Sequence, residues 1–411
     1  MNTQEIIAIT IVLSALYAYI NHRFIKWPPT IGIMALSLIS SILLASFGNS
    51  HSLLSEKAIS LANSLDFQDI LMNFMLSFLL FAGAIHIDAA RLKVERLPVL
   101  ILATVGILIS TFIVGILVYY LFGMFSMPIP LIYCLLFGAL ISPTDPIAVL
   151  GILKTSKIPK SLELKISGES LFNDGVAVVV FISLVEIARS SGGDFSVLDI
   201  GKLFLKEAVG GLIFGAILGY IGFWALRSID DYKVEVLITL AIVVGGYFMA
   251  GRLHLSGPLA MVVAGIITGN KSKRDGMSDL TIDYLGKFWE MIDEILNAVL
   301  FLFIGVEMLV IKINPVVFWI GMVCIAIVLL ARWISVFVPV SIMRFKIKFE
   351  KNAVTMLTWG GLRGGISVAL ALSLSADMHR DEFVFITYII VVFSILVQGL
   401  TIGKLAKRLY F

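Results

Sequence analysis

The chain has 411 residues, 59% of them hydrophobic and only 14% charged, with a formal net charge of +3. Soluble domains carry about 25% charged residues, so this composition predicts an all-α integral membrane protein. It excludes nucleic-acid binding, secreted disulfide scaffolds and ordinary cytosolic enzymes. Cys134 and Cys324 both sit in apolar runs, which argues against a disulfide framework. The first residues lack a basic stretch and the following apolar run lacks a small-residue cleavage site. That run therefore reads as a retained span, not a signal peptide.

A helix crossing the hydrocarbon core needs roughly 20 mostly apolar residues. On that criterion thirteen transmembrane helices are predicted, over residues 5–22, 28–47, 68–87, 97–121, 128–153, 166–188, 200–226, 234–250, 256–269, 286–310, 315–342, 352–376 and 382–403. Thirteen spans place 21 Lys and Arg on one side and five (Lys57, Arg189, Arg252, Lys312, Arg380) on the other. By the positive-inside rule the richer side is cytoplasmic, so the N-terminus lies outside and the C-terminus inside. The short stretch after the last span predicts no soluble regulatory domain.

Span five carries Ser142-Pro143-Thr144-Asp145-Pro146 and span twelve carries Gly360-Gly361-Leu362-Arg363-Gly364-Gly365. Pro143 removes a helical hydrogen bond, and Asp145 with Pro146 suits the start of a second half-helix, with Asp145 as its N-cap. Both spans are therefore expected to break near mid-membrane. They lie seven spans apart, which predicts two inverted six-helix repeats within a single 1–411 domain: repeat one about 1–190, a connector about 195–230, repeat two about 231–411. Broken segments at corresponding positions of inverted halves point to a transporter's binding site.

Charges inside the membrane need a reason. Asp145, Glu169, Asp174 and Arg363 fall near span centres; Lys202, Lys206, Lys287 and Arg332 are read as nearer the ends, snorkelling. In span six Ser170 and Asp174 share one helical face, and Glu169 and Asn173 share another about 100° away. Asp145, Asp174, Ser170 and Thr144 together offer oxygen ligands suited to a hard monovalent cation, and burial of the two carboxylates lets protons compete for the same place. Glu169 and Arg363 are expected to pair and join spans six and twelve. Glu290, Asp293 and Glu294 form either a cation mouth or a solvated helix end, and His86 and His254 lie near span ends where they could titrate near neutral pH.

At Thr144-Asp145-Pro146, at Gly168-Glu169-Ser170 with Asn173-Asp174-Gly175, and at Gly361-Leu362-Arg363-Gly364, the sequence resembles the sodium/proton exchangers of the monovalent cation:proton antiporter family. It is similar to the branch with Asn-Asp in span six, over nearly the whole chain. The resemblance implies a dimerisation domain and a moving core domain. It implies cation coordination by Asp145, Ser170, Asp174 and the Thr144 backbone, a Glu169–Arg363 pair, and a supporting role for Asn173. It also implies electroneutral one-for-one exchange and a homodimer. Ala82 stands where some relatives carry an acid that reaches the ion through water. The expected function is Na⁺ (and Li⁺) for H⁺ antiport in an inner or plasma membrane, with no cofactor and no enzymatic activity. The rivals are a K⁺/H⁺ exchanger on the same scaffold and a Na⁺-coupled organic anion symporter anchored on Arg363. An aspartyl protease lacks its signatures, and a channel lacks a filter.

Overall fold

The computed structural model describes residues 3–47, 70–145, 149, 158–189, 197–272, 277–309 and 314–410, and among these residues it is helical with no strand. In chain order the helices are α1 (Thr3–Ile20), α2 (Pro29–Phe47), α3 (Leu76–Ile85), α4 (Ala89–Met124), α5 (Leu131–Ile141), α6 (Lys160–Arg189), α7 (Val197–Arg227), α8 (Tyr232–Arg252), α9 (Gly257–Ile267), α10 (Asp279–Glu307), α11 (Pro315–Met343), α12 (Ala353–Trp359), α13 (Gly365–Leu372), α14 (Arg380–Phe393) and α15 (Leu400–Tyr410). Each predicted apolar segment meets a described helix. Seven described helical stretches are long and apolar enough to cross a membrane on their own. Pro146, the second half of span five beyond Val149, and the basic residues Lys57, Lys154, Lys157, Lys273, Arg274 and Lys312 lie outside the described residues.

Local signals set the helix starts. Asp88 accepts from the Ala90 and Arg91 amides ahead of α4, Asp231 accepts from the Lys233 amide ahead of α8, and Asn314 accepts from the Val316 amide ahead of α11, whose first residue is Pro315. Ser278 caps α10 at Asp279, seven residues before the predicted start of span ten. Glu290, Asp293 and Glu294 therefore lie well inside a helix and do not open it. Glu290 and Glu294 are exposed and Asp293 is half-buried.

Among the described residues two large apolar clusters fill the interior, with a third, small one of Val179, Ala208 and Leu259. The largest joins α4, α5, α6 and α11–α14 with the second half of α10, and the second joins α3, α8 and α9 with Leu285 and Trp289 from the first half of α10. Helices α7 and α9 meet through small residues. A methyl group on Gly211 would lie 2.6 Å from the Ser256 carbonyl oxygen, and one on Gly215 2.7 Å from Ala260 Cα. Gly219 continues the stripe, with Ile267 Cβ at 2.8 Å and Ala264 Cα at 3.2 Å from the same position. This four-residue repeat of small side chains is how helices associate where lipid removes the hydrophobic drive between them. The outward faces carry exposed apolar side chains such as Ile213, Trp224, Leu237 and Phe248, as lipid contact requires.

Candidate functional site at the crossing of two interrupted helices

Helix α5 ends at Ile141 and the chain runs non-helically from Ser142 to Asp145; α12 ends at Trp359 and α13 begins at Gly365. The two open segments touch: the Asp145 amide donates to the Leu362 carbonyl at 2.8 Å, an isolated antiparallel bridge. Glycine makes this approach possible. A Cβ on Gly364 would stand 2.6 Å from Asp145 Cβ, and one on Gly361 would stand 2.6 Å from Arg332 Nε and 3.1 Å from Thr144 Cγ2.

Helix α6 supplies the polar wall. The Ser170 hydroxyl donates to the Thr144 carbonyl and lies 3.2 Å from Thr144 Oγ1. Asn173 Nδ2 donates to Thr144 Oγ1 at 2.8 Å, and Asn173 Oδ1 accepts from the Thr144 amide at 3.3 Å. Thr144 is thus held at its amide, carbonyl and hydroxyl by one turn of α6. Residues three apart on a helix also face together, so Asn173 joins Ser170 at the break and departs from the expected grouping with Glu169. Asp174 is buried, and the charges that act on it are those of Asp145 and Glu169. Five of the sequence-predicted site residues, Thr144, Asp145, Ser170, Asn173 and Asp174, therefore converge at or beside one crossing.

The Glu169–Arg363 pair expected from the sequence is corrected by the structure. Glu169 is bound bidentately by Arg332 of α11, Nη1 to Oε1 at 2.5 Å and Nη2 to Oε2 at 2.8 Å, with both side chains buried. Arg332 also donates from Nε and Nη2 to the Leu357 carbonyl at the end of α12, at 3.2 and 3.0 Å. Arg363 instead turns back across the crossing: Nη1 donates to the Ser142 carbonyl and to the Pro143 carbonyl at 2.9 Å. The reason is local. The last carbonyls of a helix lack intrahelical partners, and Pro143 carries no N–H with which the chain could satisfy one of them. A permanent cation whose Nη1 donates to both carbonyls fills that need.

The structure also corrects the snorkelling expected of Arg332, which is buried and paired with Glu169. Arg332 sits eleven residues before the end of α11 at Met343, roughly 16 Å along the axis at 1.5 Å per residue. No arginine spans that depth, so counting residues to the helix end was a signal available in the sequence.

Ala82 of α3 is buried, and its neighbour Gly83 lies close to α6: a methyl group there would be 3.3 Å from Leu171. His254 adopts a left-handed backbone (φ 54°) in the turn between α8 and α9. It borders a cavity of about 710 Å³ between α6, α7 and that turn, together with Val178, Glu186, Lys206, Glu207 and Pro258. Val178 stands one helical turn from Asp174. Among the described residues no group of three His, Cys, Asp or Glu could hold a metal ion as a resident cofactor.

A helical membrane bundle in which two interrupted helices cross beside buried carboxylates has the form of an ion-coupled secondary transporter. The family model described as "Sodium/hydrogen exchanger, transmembrane" matches residues 11–408, and the chain belongs to that family, whose members are transporters and not enzymes. It is 47% identical over 411 residues to the Na⁺/H⁺ antiporter NhaP of Pseudomonas aeruginosa, covering 99% of this chain and 97% of that protein. It is 36% identical to the Na⁺/H⁺ antiporter NhaH of Halobacillus dabanensis, covering 84% of each. The fold is similar to the structure of the sodium proton antiporter MjNhaP1 from Methanocaldococcus jannaschii at pH 8, with TM-score 0.78 at 20% identity and coverage of 100% of this chain and 99% of the other.

Proposed function

We propose that the protein exchanges Na⁺, and Li⁺, for H⁺ one for one, with Asp145, Asp174, Ser170 and the carbonyl or hydroxyl of Thr144 as the shared binding place. The observation that carries this reading is the crossing itself, which gathers two carboxylates, two hydroxyls and the carbonyls of non-helical backbone in one place. A cation arriving there replaces its hydration shell with these oxygens and displaces the proton from a carboxyl. A proton arriving from the other side displaces the cation. Competition for one place, with access alternating between the two sides, suffices for antiport. Asn173 holds Thr144 without adding charge. Glu169 with Arg332 ties α6 to α11, and Arg363 holds the end of α5, so the polar wall and the open segments move as one body. The cavity beside Val178 gives one route of approach toward Asp174.

The same reading places thirteen spans in the membrane as two inverted repeats, with the N-terminus outside, the C-terminus in the cytoplasm and two chains forming a homodimer in the cell membrane. Engagement of Arg363 by the Ser142 and Pro143 carbonyls leaves it poorly placed as the anchor of an organic anion, which disfavours the symporter.

The test is proton flux in proteoliposomes holding a pH gradient, with Na⁺, Li⁺ and K⁺ added in turn. Na⁺ and Li⁺ are expected to collapse the gradient in the wild type and to have no effect in Asp174→Asn, at a rate insensitive to clamped voltage. Proton release on K⁺ with little response to Na⁺ would assign a potassium exchanger, and no cation-dependent flux from folded protein would refute exchange altogether.

A further inference from the structure

Helix α15 and the 344–352 loop between α11 and α12 carry seven basic side chains, Arg344, Lys346, Lys348, Lys351, Lys404, Lys407 and Arg408, all exposed. The two segments are joined: the Tyr410 hydroxyl donates to the Lys351 carbonyl at 2.8 Å. On α15 the buried residues Ile402 and Ala406 face the protein, while Lys404, Lys407 and Arg408 fall at i, i+3 and i+4 on the opposite side.

The single acid in these segments, Glu350, is turned inward. It accepts from Lys165 Nζ at 3.2 and 3.3 Å and from the Ser161 hydroxyl, while Lys165 is itself buried, 3.1 Å from Glu95 and 5.4 Å from the Phe349 ring centroid. The outward face is therefore cationic without relief. Within it Phe345 is 91% exposed. A soluble anion would account for the cations but not for a bare aromatic ring among them. An interface of anionic headgroups over acyl chains accounts for both, because it attracts basic side chains and receives an apolar ring.

We propose that the 344–352 loop and α15 form a docking surface for anionic phospholipid headgroups of the adjacent leaflet, with Phe345 inserted between them. It rests on the cytoplasmic placement of these segments proposed above, but lipid binding is measured without any ion flux and so fails or holds separately. Because α15 continues from α14 and the loop leads into α12, the surface belongs to the elements around the crossing, and lipid held there would bear on their movement.

The experiment introduces Phe345→Trp as a reporter in the full chain and reconstitutes it with brominated phosphatidylglycerol or brominated phosphatidylcholine at equal mole fraction. The added tryptophan emission is expected to be quenched more strongly by the anionic lipid. Combined Lys346→Gln, Lys348→Gln, Lys404→Gln and Lys407→Gln changes should cut that preference at least about tenfold. Equal quenching by the two lipids would overturn the proposal, as would an unchanged preference in the neutralised chain. Inorganic phosphate abolishing the quenching difference where sodium chloride of equal ionic strength does not would assign the surface to a soluble anion and overturn the lipid reading.

Discussion

The crossing and the α7–α9 contact solve the same problem, bringing helices together in lipid, by opposite means. At α7–α9 the contact is made by glycine and alanine, with backbone against backbone. At the crossing the backbone is interrupted, and its freed groups are taken up by Arg363, Ser170 and Asn173. A packing contact tolerates one register. A hydrogen-bonded crossing also holds charge: the buried carboxylates Glu169 and Asp174 of α6 lie beside the bridge between Asp145 and Leu362. Polar atoms in this fold therefore mark function where they meet open backbone, and small residues mark support.

Changes at the two regions should separate cleanly. The largest effect is expected from Glu169→Gln or Arg332→Met alone, each of which strands a buried charge and costs on the order of 3–5 kcal/mol. Thermal unfolding in detergent should show the loss, and a Glu169→Met/Arg332→Met double change should recover much of it, since a well-packed apolar pair can replace a buried ion pair. No recovery in the double variant would mean that the pair does more than satisfy its own charges. Next comes Arg363→Lys, which keeps the charge but shortens the side chain whose Nη1 reaches both carbonyls. Hydrogen bonds to charged groups contribute about 1.5–3 kcal/mol, and the loss should appear in the maximal exchange rate more than in unfolding, because the carbonyls it holds border the proposed binding place.

Gly215→Val in the α7–α9 stripe is expected to cost about 1–3 kcal/mol by overpacking. It should lower the unfolding temperature while leaving the pH profile and cation preference of the surviving activity unchanged. A shifted pH profile in that variant would break the distinction between the two regions. The smallest effect concerns Glu350. Burial pushes its carboxyl up, but the Ser161 hydroxyl, its own backbone amide and Lys165 together outweigh this and hold it below the usual carboxylate range. A carboxyl lowered on folding adds stability above its ordinary range and loses it as pH falls through the lowered value. Unfolding scans of the wild type should therefore show a decline on acidification that Glu350→Gln lacks.

The apolar helical segments, the two breaks and the residues that meet at the crossing were legible in the sequence because each rests on a short-range rule. Lipid obliges the backbone to satisfy itself within a helix, so hydropathy marks the helices. Pro143 and the glycines at 360, 361, 364 and 365 mark where that rule is suspended. The spacing of Ser170 and Asp174 on one turn then states which oxygens share a face. The start of α10 could not be read from hydropathy, since Ser278 caps it in a polar stretch that the apolar window passes over.

Which arginine meets which partner was decided only by the tertiary structure. Glu169 had two buried arginines within reach of the fold, and electrostatics in sequence is silent between them. Arg363 meets the Ser142 and Pro143 carbonyls just past α5, and the depth of Arg332 on α11 delivers the other guanidinium to Glu169. Charge told that a partner must exist; only the placement of helices far apart in the chain could choose it.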